Sequence, residues 1–403
     1  MDKKREFGIA RFVNQQTLNP ELLLTLYIFS FSILKPLTVT FRSVSTLILL
    51  SSTAAIVLAM LWFHRDKFSM PKILKLLALV MTIGTLFALD YLFRYNVVLP
   101  EYAYHFCIYA VVPLFLMSFV TDYGKVLGYW CRFAVAIGIL FLADPVLKYP
   151  WSGGYMPFGF NHMLPAFFGA AMLVFYERKR WPIVLLLAFF VELLIYANKG
   201  ATLTAAAFLV VLYILFGLGR TTVVGMDQVR KRTKVILAAA LIVLVLFMPA
   251  VNILGMILDY FGISSYALNS IRYGGLERIV NLRTDIWVDV WQKFLENPLL
   301  GTGIGTYQAA AKVYAHNVFL EVMNASGLIA LAFFIGELGS SIHMMLDSIK
   351  KKGIDERNMF FLMYFVLWFF PMLISLTLWS YMPFWIYWGL YLYGPKKNIG
   401  PTE

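Results

Sequence analysis

The chain is a succession of apolar runs about as long as a bilayer crossing, separated by short polar or Pro/Gly-containing breaks. Runs near 22–40, 44–63, 73–93, 102–120, 126–144, 158–176, 181–197, 201–218, 235–254, 316–346, 360–378 and 379–393 predict about 12 transmembrane helices, the last one short. An even number puts both termini on one side. The expected organisation is nine transmembrane helices in 1–254, one long loop in 255–315, and helices ten to twelve with a tail in 316–403.

Composition agrees with an all-α polytopic membrane protein. Of 403 residues, 61% are hydrophobic and 14% charged, and the mean hydropathy is +0.74, which leaves no room for a large soluble domain. The side that holds the termini carries 24 of the 34 Lys and Arg residues and the other side 10. Basic residues are retained in the cytoplasm during insertion, so the termini are expected inside and the 255–315 loop outside. The net charge of +12 is thereby assigned to topology, and no nucleic-acid partner is expected. The segment with Lys3, Lys4, Arg5 and Arg11 lacks the small-residue cleavage site of a signal peptide and is expected to stay attached. Cys107 and Cys131 lie in apolar runs without metal-ligand spacing, so neither a disulfide framework nor a zinc site is expected.

The long loop is the place with room for structure beyond turns. Residues 276–296 place Ile279, Ile286, Trp287, Val290, Trp291 and Phe294 on one face of an amphipathic helix, with Asp285, Asp289 and Glu296 opposite. Arg283 projects into the apolar arc and needs a partner there. That partner is either a carboxylate such as Asp259 or Glu321, in a structural ion pair, or a bound anion such as phosphate. Asn297-Pro298-Leu299-Leu300-Gly301-Thr302-Gly303-Ile304-Gly305 follows; its spacing fits neither a P-loop nor a dinucleotide fingerprint, and its glycines read as positions that need positive φ. His316-Asn317 then opens the tenth crossing, and Asn317, Glu321 and Asn324 form a polar stripe down its first turns. Two further polar clusters belong to the same side: Gly153 to His162, which includes Asn161, and the turn Asn198-Lys199-Gly200, where snorkelling is the simplest account of Lys199.

In order along the chain, Gly159-Phe160-Asn161, Asn198-Lys199-Gly200, Arg283-x3-Trp287, Pro298-Leu299-Leu300-Gly301-Thr302-Gly303, His316-Asn317-x2-Leu320-Glu321 and Gly327-Leu328-Ile329 resemble the O-antigen polymerase and O-antigen ligase superfamily of bacterial envelope enzymes. Motif resemblance is concentrated in 153–205 and 283–329. It implies a GT-C-like helical fold and a glycosyltransferase that uses an undecaprenyl-diphosphate-linked oligosaccharide at the outer face of the inner membrane, with no metal and no cofactor. Flippase and chain-length regulator proteins are the partners it implies. Where the family usually has Arg in the short turn, this chain has Lys199, a point charge without the bidentate fork.

Transfer from a lipid diphosphate leaves a doubly charged group to be neutralised, and no carboxylate cluster for a divalent cation appears in the loop. Arg283, with Arg272, Arg278 or Lys199, is expected to meet that charge. The attacking hydroxyl needs a base, for which His316 is the first candidate and Glu321 the second. Asn317 and Asn161 complete the expected substrate-binding set. A polymerase of O-antigen, capsule or exopolysaccharide repeat units is the favoured reading. A ligase that transfers glycan to lipid A core and a transporter of lipid-linked oligosaccharides are the alternatives.

Overall fold

The computed structural model describes residues 18–216 and 283–394, with short stretches between 231 and 273. In chain order its helices are α1 (Pro20–Thr40), α2 (Arg42–Lys67), α3 (Met70–Phe93), α4 (Leu99–Met117), α5 (Tyr123–Phe141), α6 (Tyr155–Phe175), α7 (Ile183–Tyr196), α8 (Lys199–Phe216), α9 (Val251–Tyr260), α10 (Arg283–Leu295), α11 (Thr306–Ala311), α12 (Val318–Lys351), α13 (Glu356–Ile374) and α14 (Met382–Leu392). Nine of the described helices are long and apolar enough to cross a bilayer, against the dozen runs of the sequence. The difference lies in α7 and α14, with 14 and 11 residues, and in the run at 235–254, most of which lies outside the described residues.

Small residues bring α5 and α6 together. A Cβ added to Gly138 would lie 2.3 Å from that of Ala166, and one added to Gly169 would lie 3.1 Å from that of Ala134. Close backbone approach of this kind is how helices associate where hydrocarbon surrounds them. Prolines shape the bundle as well. A proline inside a helix removes the hydrogen bond to the carbonyl four residues earlier, and two such carbonyls are taken by neighbouring hydroxyls. Ser32 Oγ donates to Asn161 O, freed by Pro165, at 2.8 Å, and the Tyr381 hydroxyl donates to Leu367 O, freed by Pro371, at 2.7 Å. Two π-helical turns, Cys107–Val111 in α4 and Phe158–Met163 in α6, precede Pro113 and Pro165.

The described loops divide between two ends of the bundle. At one end the Glu21 carboxylate accepts from Thr121 N (3.3 Å) and Asp122 N (3.2 Å), while Lys75 donates to Leu392 O (2.7 Å) and Arg357 to Leu390 O (2.9 Å). The opposite end gathers the α3–α4 turn, residues 298–317 and the α13–α14 turn. Here Arg94 donates to Gly301 O (3.0 Å), Asn96 to Ile304 O (2.8 Å) and Asn317 to Leu373 O (3.1 Å).

A backbone interlock holds this second end. α12 is broken at Gly327 (φ 77°, ψ −173°), and the glycine-rich loop crosses the break. The N–H groups of Thr302 and Gly303 donate to the carbonyls of Asn324 (2.7 Å) and Ala325 (3.0 Å), and Leu328 N donates to Pro298 O (2.9 Å) instead of to Asn324. Gly301, Gly303 and Gly305 all have positive φ (70°, 109° and 74°), as the sequence required. A Cβ at Gly327 would lie 2.1 Å from Leu299 O, so only glycine admits the crossing. From α3, the Asp90 carboxylate accepts from Ile304 N at 2.7 Å and fixes the loop.

Candidate functional site

The two motif clusters that lie far apart in sequence meet at the second end. Gly159 packs so closely on the α7–α8 turn that a Cβ there would lie 2.8 Å from Asn198 Nδ2, and a Cβ on Gly200 would lie 3.0 Å from Phe160. Asn198 Oδ1 accepts from Ala201 N at 2.9 Å, which caps α8 and presents Lys199 at its first turn.

Arg283, Lys199 and His316 are brought together. Arg283 opens α10, Lys199 opens α8, and His316 occupies the turn before α12; all three are half-buried. The charge of Arg283 acts on both Lys199 and His316. Burial, and next the Arg283 guanidinium, push His316 down to about 4, so its imidazole is neutral at physiological pH. Its backbone is left-handed (φ 54°), its Nδ1 is buried without a hydrogen-bond partner, and its ring lies 4.0 Å from that of Tyr314. Two cations within electrostatic reach of each other, one of them also acting on a neutral imidazole, are groups that can attract an anion and accept a proton.

The α10 helix follows its pattern only in part over the described residues: Ile286 and Trp287 are half-buried, but Trp291, expected on the apolar face, is exposed because α10 buries a narrower stripe than its pattern offers. Val290 and Phe294 are buried, and Val290 packs with Tyr307 and Ala315. Asp285 and Asp289 lie on the exposed side. Burial, with the Asp289 carboxylate second, raises the Tyr307 phenol to about 12. Residues 274–282, which include Ile279 and Arg278, lie outside the described residues.

The other expected site residues have structural attachments. Asn317 caps α12, its Oδ1 accepting from Phe319 N (3.0 Å) and Leu320 N (3.2 Å). Glu321 is buried and ties α12 to the α13–α14 turn: Thr377 Oγ1 donates to its Oε1 and Leu378 N to its Oε2. Asn324 accepts from Thr302 Oγ1 at 3.1 Å. The polar stripe of the sequence therefore holds loops to the helix that carries it. Arg272 is paired with Asp259 and lies over the Tyr273 ring, 5.2 Å from its centroid, so the carboxylate expected as a partner for Arg283 is engaged elsewhere. Asn161 lines a separate cavity of about 140 Å³, with Ser32, Tyr109, Trp130, Tyr364 and Tyr381. Among the described residues, no group of three or more His, Cys, Asp or Glu side chains is placed to hold a metal ion.

Sequence reasoning missed Asp90, Arg94 and Asn96, which anchor the glycine loop, and the aromatic residues Tyr102 and Trp379 beside Glu321. An Asp and an Arg one helical turn apart at the end of the third apolar run were the available signal.

Fold and site together define a polytopic helical membrane protein with Lys199, Arg283 and His316 at one end. Residues 183–335 match the family model described as O-antigen ligase. The resemblance to the O-antigen ligase and polymerase superfamily holds over the segment that contains Lys199, Arg283, His316 and Glu321, and it supports a glycosyltransferase-like membrane enzyme of O-antigen or related glycan processing. No curated protein and no solved structure matches the chain.

Proposed function

We propose that the protein polymerises undecaprenyl-diphosphate-linked oligosaccharide repeat units at the outer face of the bacterial inner membrane, with both termini in the cytoplasm. The observation that carries the reading is the placement of Arg283 against both His316 and Lys199, in the segment that matches the O-antigen ligase family. Arg283 and Lys199 bind the donor diphosphate and neutralise it as it departs, the part a divalent cation plays in many glycosyl transfers. His316 accepts the proton of the attacking sugar hydroxyl. A group held near 4 is a weak base, but an anion bound at Arg283 offsets the part of the shift that the guanidinium causes and so strengthens His316 when donor is present. Direct displacement inverts the anomeric centre.

The test is to incubate the purified protein in lipid with its lipid-linked repeat unit. A ladder of longer products, retained in EDTA, supports the reading. The family description favours a second reading, ligation; in that case product forms only when lipid A core is supplied. Movement of the lipid-linked oligosaccharide without a new glycosidic bond overturns both.

A further inference from the structure

Next to His316 is a small pocket lined by aromatic and polar side chains. Its walls include Tyr102, Gln308, Tyr314, Glu321, Asn324 and Trp379, and Tyr314 and Ala315 are the two residues before His316. Aromatic faces dominate two sides: Tyr102 and Trp379 are stacked with centroids 6.1 Å apart, and Tyr314 packs on His316. The polar groups converge on the interior with bonding capacity left over. Each Glu321 oxygen accepts one hydrogen bond from the α13–α14 turn, whereas a carboxylate oxygen accepts two. Gln308 accepts from the Tyr102 hydroxyl, and its amide nitrogen and the Tyr314 hydroxyl have no partner among the described residues. The free space is about 20 Å³, which is room for a single water or hydroxyl.

We propose that this pocket is a specificity subsite for the acceptor glycan: it takes one non-reacting hydroxyl or hydroxymethyl group of the acceptor sugar, whose ring rests on the aromatic rim while a neighbouring hydroxyl lies at His316. The proposal rests on the glycosyl-transfer reading. Its chemistry is that of sugar recognition, with an acceptor (Glu321), donors (the Gln308 amide and the Tyr314 hydroxyl) and aromatic faces. A pocket this size excludes a larger substituent, such as an N-acetyl group, at the matching carbon. A sugar that lacks the hydroxyl leaves the buried Glu321 carboxylate and the half-buried Gln308 and Tyr314 without that partner, which is how such sites discriminate.

The test uses Tyr314→Phe, which keeps the stack on His316 and removes one oxygen, and Gln308→Met as a second variant. Two readouts are taken on protein in nanodiscs: transfer kinetics with the source organism's lipid-linked repeat unit as donor and the same repeat oligosaccharide freed of lipid as acceptor, each varied in turn, and binding of that oligosaccharide by saturation-transfer NMR. The expected result for either variant is a roughly tenfold to hundredfold rise in acceptor KM, the worth of a hydrogen bond lost to a polar group, with donor KM unchanged and the NMR signal diminished; the thermal midpoint is unchanged in Tyr314→Phe and falls in Gln308→Met, which also removes the acceptor of the buried Tyr102 hydroxyl. A rise in donor KM alone, or unchanged kinetics and unchanged binding, overturns the subsite and leaves a site for one structural water. If the wild type transfers nothing but binds the oligosaccharide in a Tyr314-dependent way, the subsite stands and the transfer reading falls; absence of both transfer and binding overturns the two together.

Discussion

Arg283 at the start of α10 and His316 before α12 are 33 positions apart in sequence, yet the guanidinium, second only to burial, holds the imidazole neutral down to about 4. The unfolded chain binds this proton near the ordinary histidine value of about 6.5, so the stability associated with neutral His316 is present above that pH and is lost as pH falls towards 4. In ¹³C-labelled protein the ring is expected to titrate near 4, and inorganic diphosphate should move the titration upward. A ring that titrates near 6.5 and ignores diphosphate contradicts both the burial and the anion site.

Arg283 and His316 should fail in different ways. Arg283→Lys keeps the charge and loses the fork, and transfer should remain strongly impaired. His316→Ala should lower kcat roughly 10²- to 10⁴-fold with donor binding largely kept, the usual range for loss of a general base. Steady-state kinetics at matched protein levels decides; full activity in both variants would falsify the site.

Lys199 separates two roles. If its ammonium meets phosphate, Lys199→Ala raises donor KM and Lys199→Arg is tolerated; if it only reaches the interface, donor KM is the same in all three proteins. The half-buried position at the first turn of α8 and the nearby Arg283 charge support the first outcome.

Gly327→Ala should loosen the second end. Left-handed backbone costs a residue with a side chain on the order of 1–3 kcal/mol, and here the new Cβ also meets Leu299 O at 2.1 Å. The expected result is a lower thermal midpoint in detergent and protease cleavage within 298–303. Gly336→Ala is the control, since a Cβ there meets nothing within 4 Å.

Orientation is read by labelling. In protein lacking Cys107 and Cys131, single cysteines at Leu299 or Lys312 should react with an impermeant maleimide in intact spheroplasts, and single cysteines at Lys67 or Lys125 only after lysis. The reverse pattern places the site in the cytoplasm.

Much of this fold is legible in sequence because the bilayer dictates it: a crossing needs a certain apolar length, whatever its neighbours. The amphipathic α10 is legible for the same local reason, since Val290 and Phe294 repeat at helical spacing and are buried. The three glycines announce positive φ, although not what their loop grips. What sequence hides is contact between distant residues. Asp90 and Ile304 are 214 positions apart, and the partners of Glu321 arrive 56 and 57 positions later. The capping Asn317 and the loop-tying Glu321 look the same in sequence as residues free to meet substrate; only the placement of Thr377, Leu378 and Leu373 tells them apart.

The crossing of the glycine loop over the break at Gly327 also orders assembly in time. Asp90 enters the membrane with α3, yet its backbone donor at Ile304 is synthesised more than two hundred residues later. A nascent or truncated chain that ends before that point holds a carboxylate at the membrane without this donor, a costly state in such surroundings. Later still come the contacts of Asn317 and Glu321 with Leu373, Thr377 and Leu378, which tie α12 to the end of α13 and the turn after it. A chain made only as far as α10 has Lys199 and Arg283 but neither His316 nor the break at Gly327 that the glycine loop crosses, so these three side chains come together only after α12 has been made.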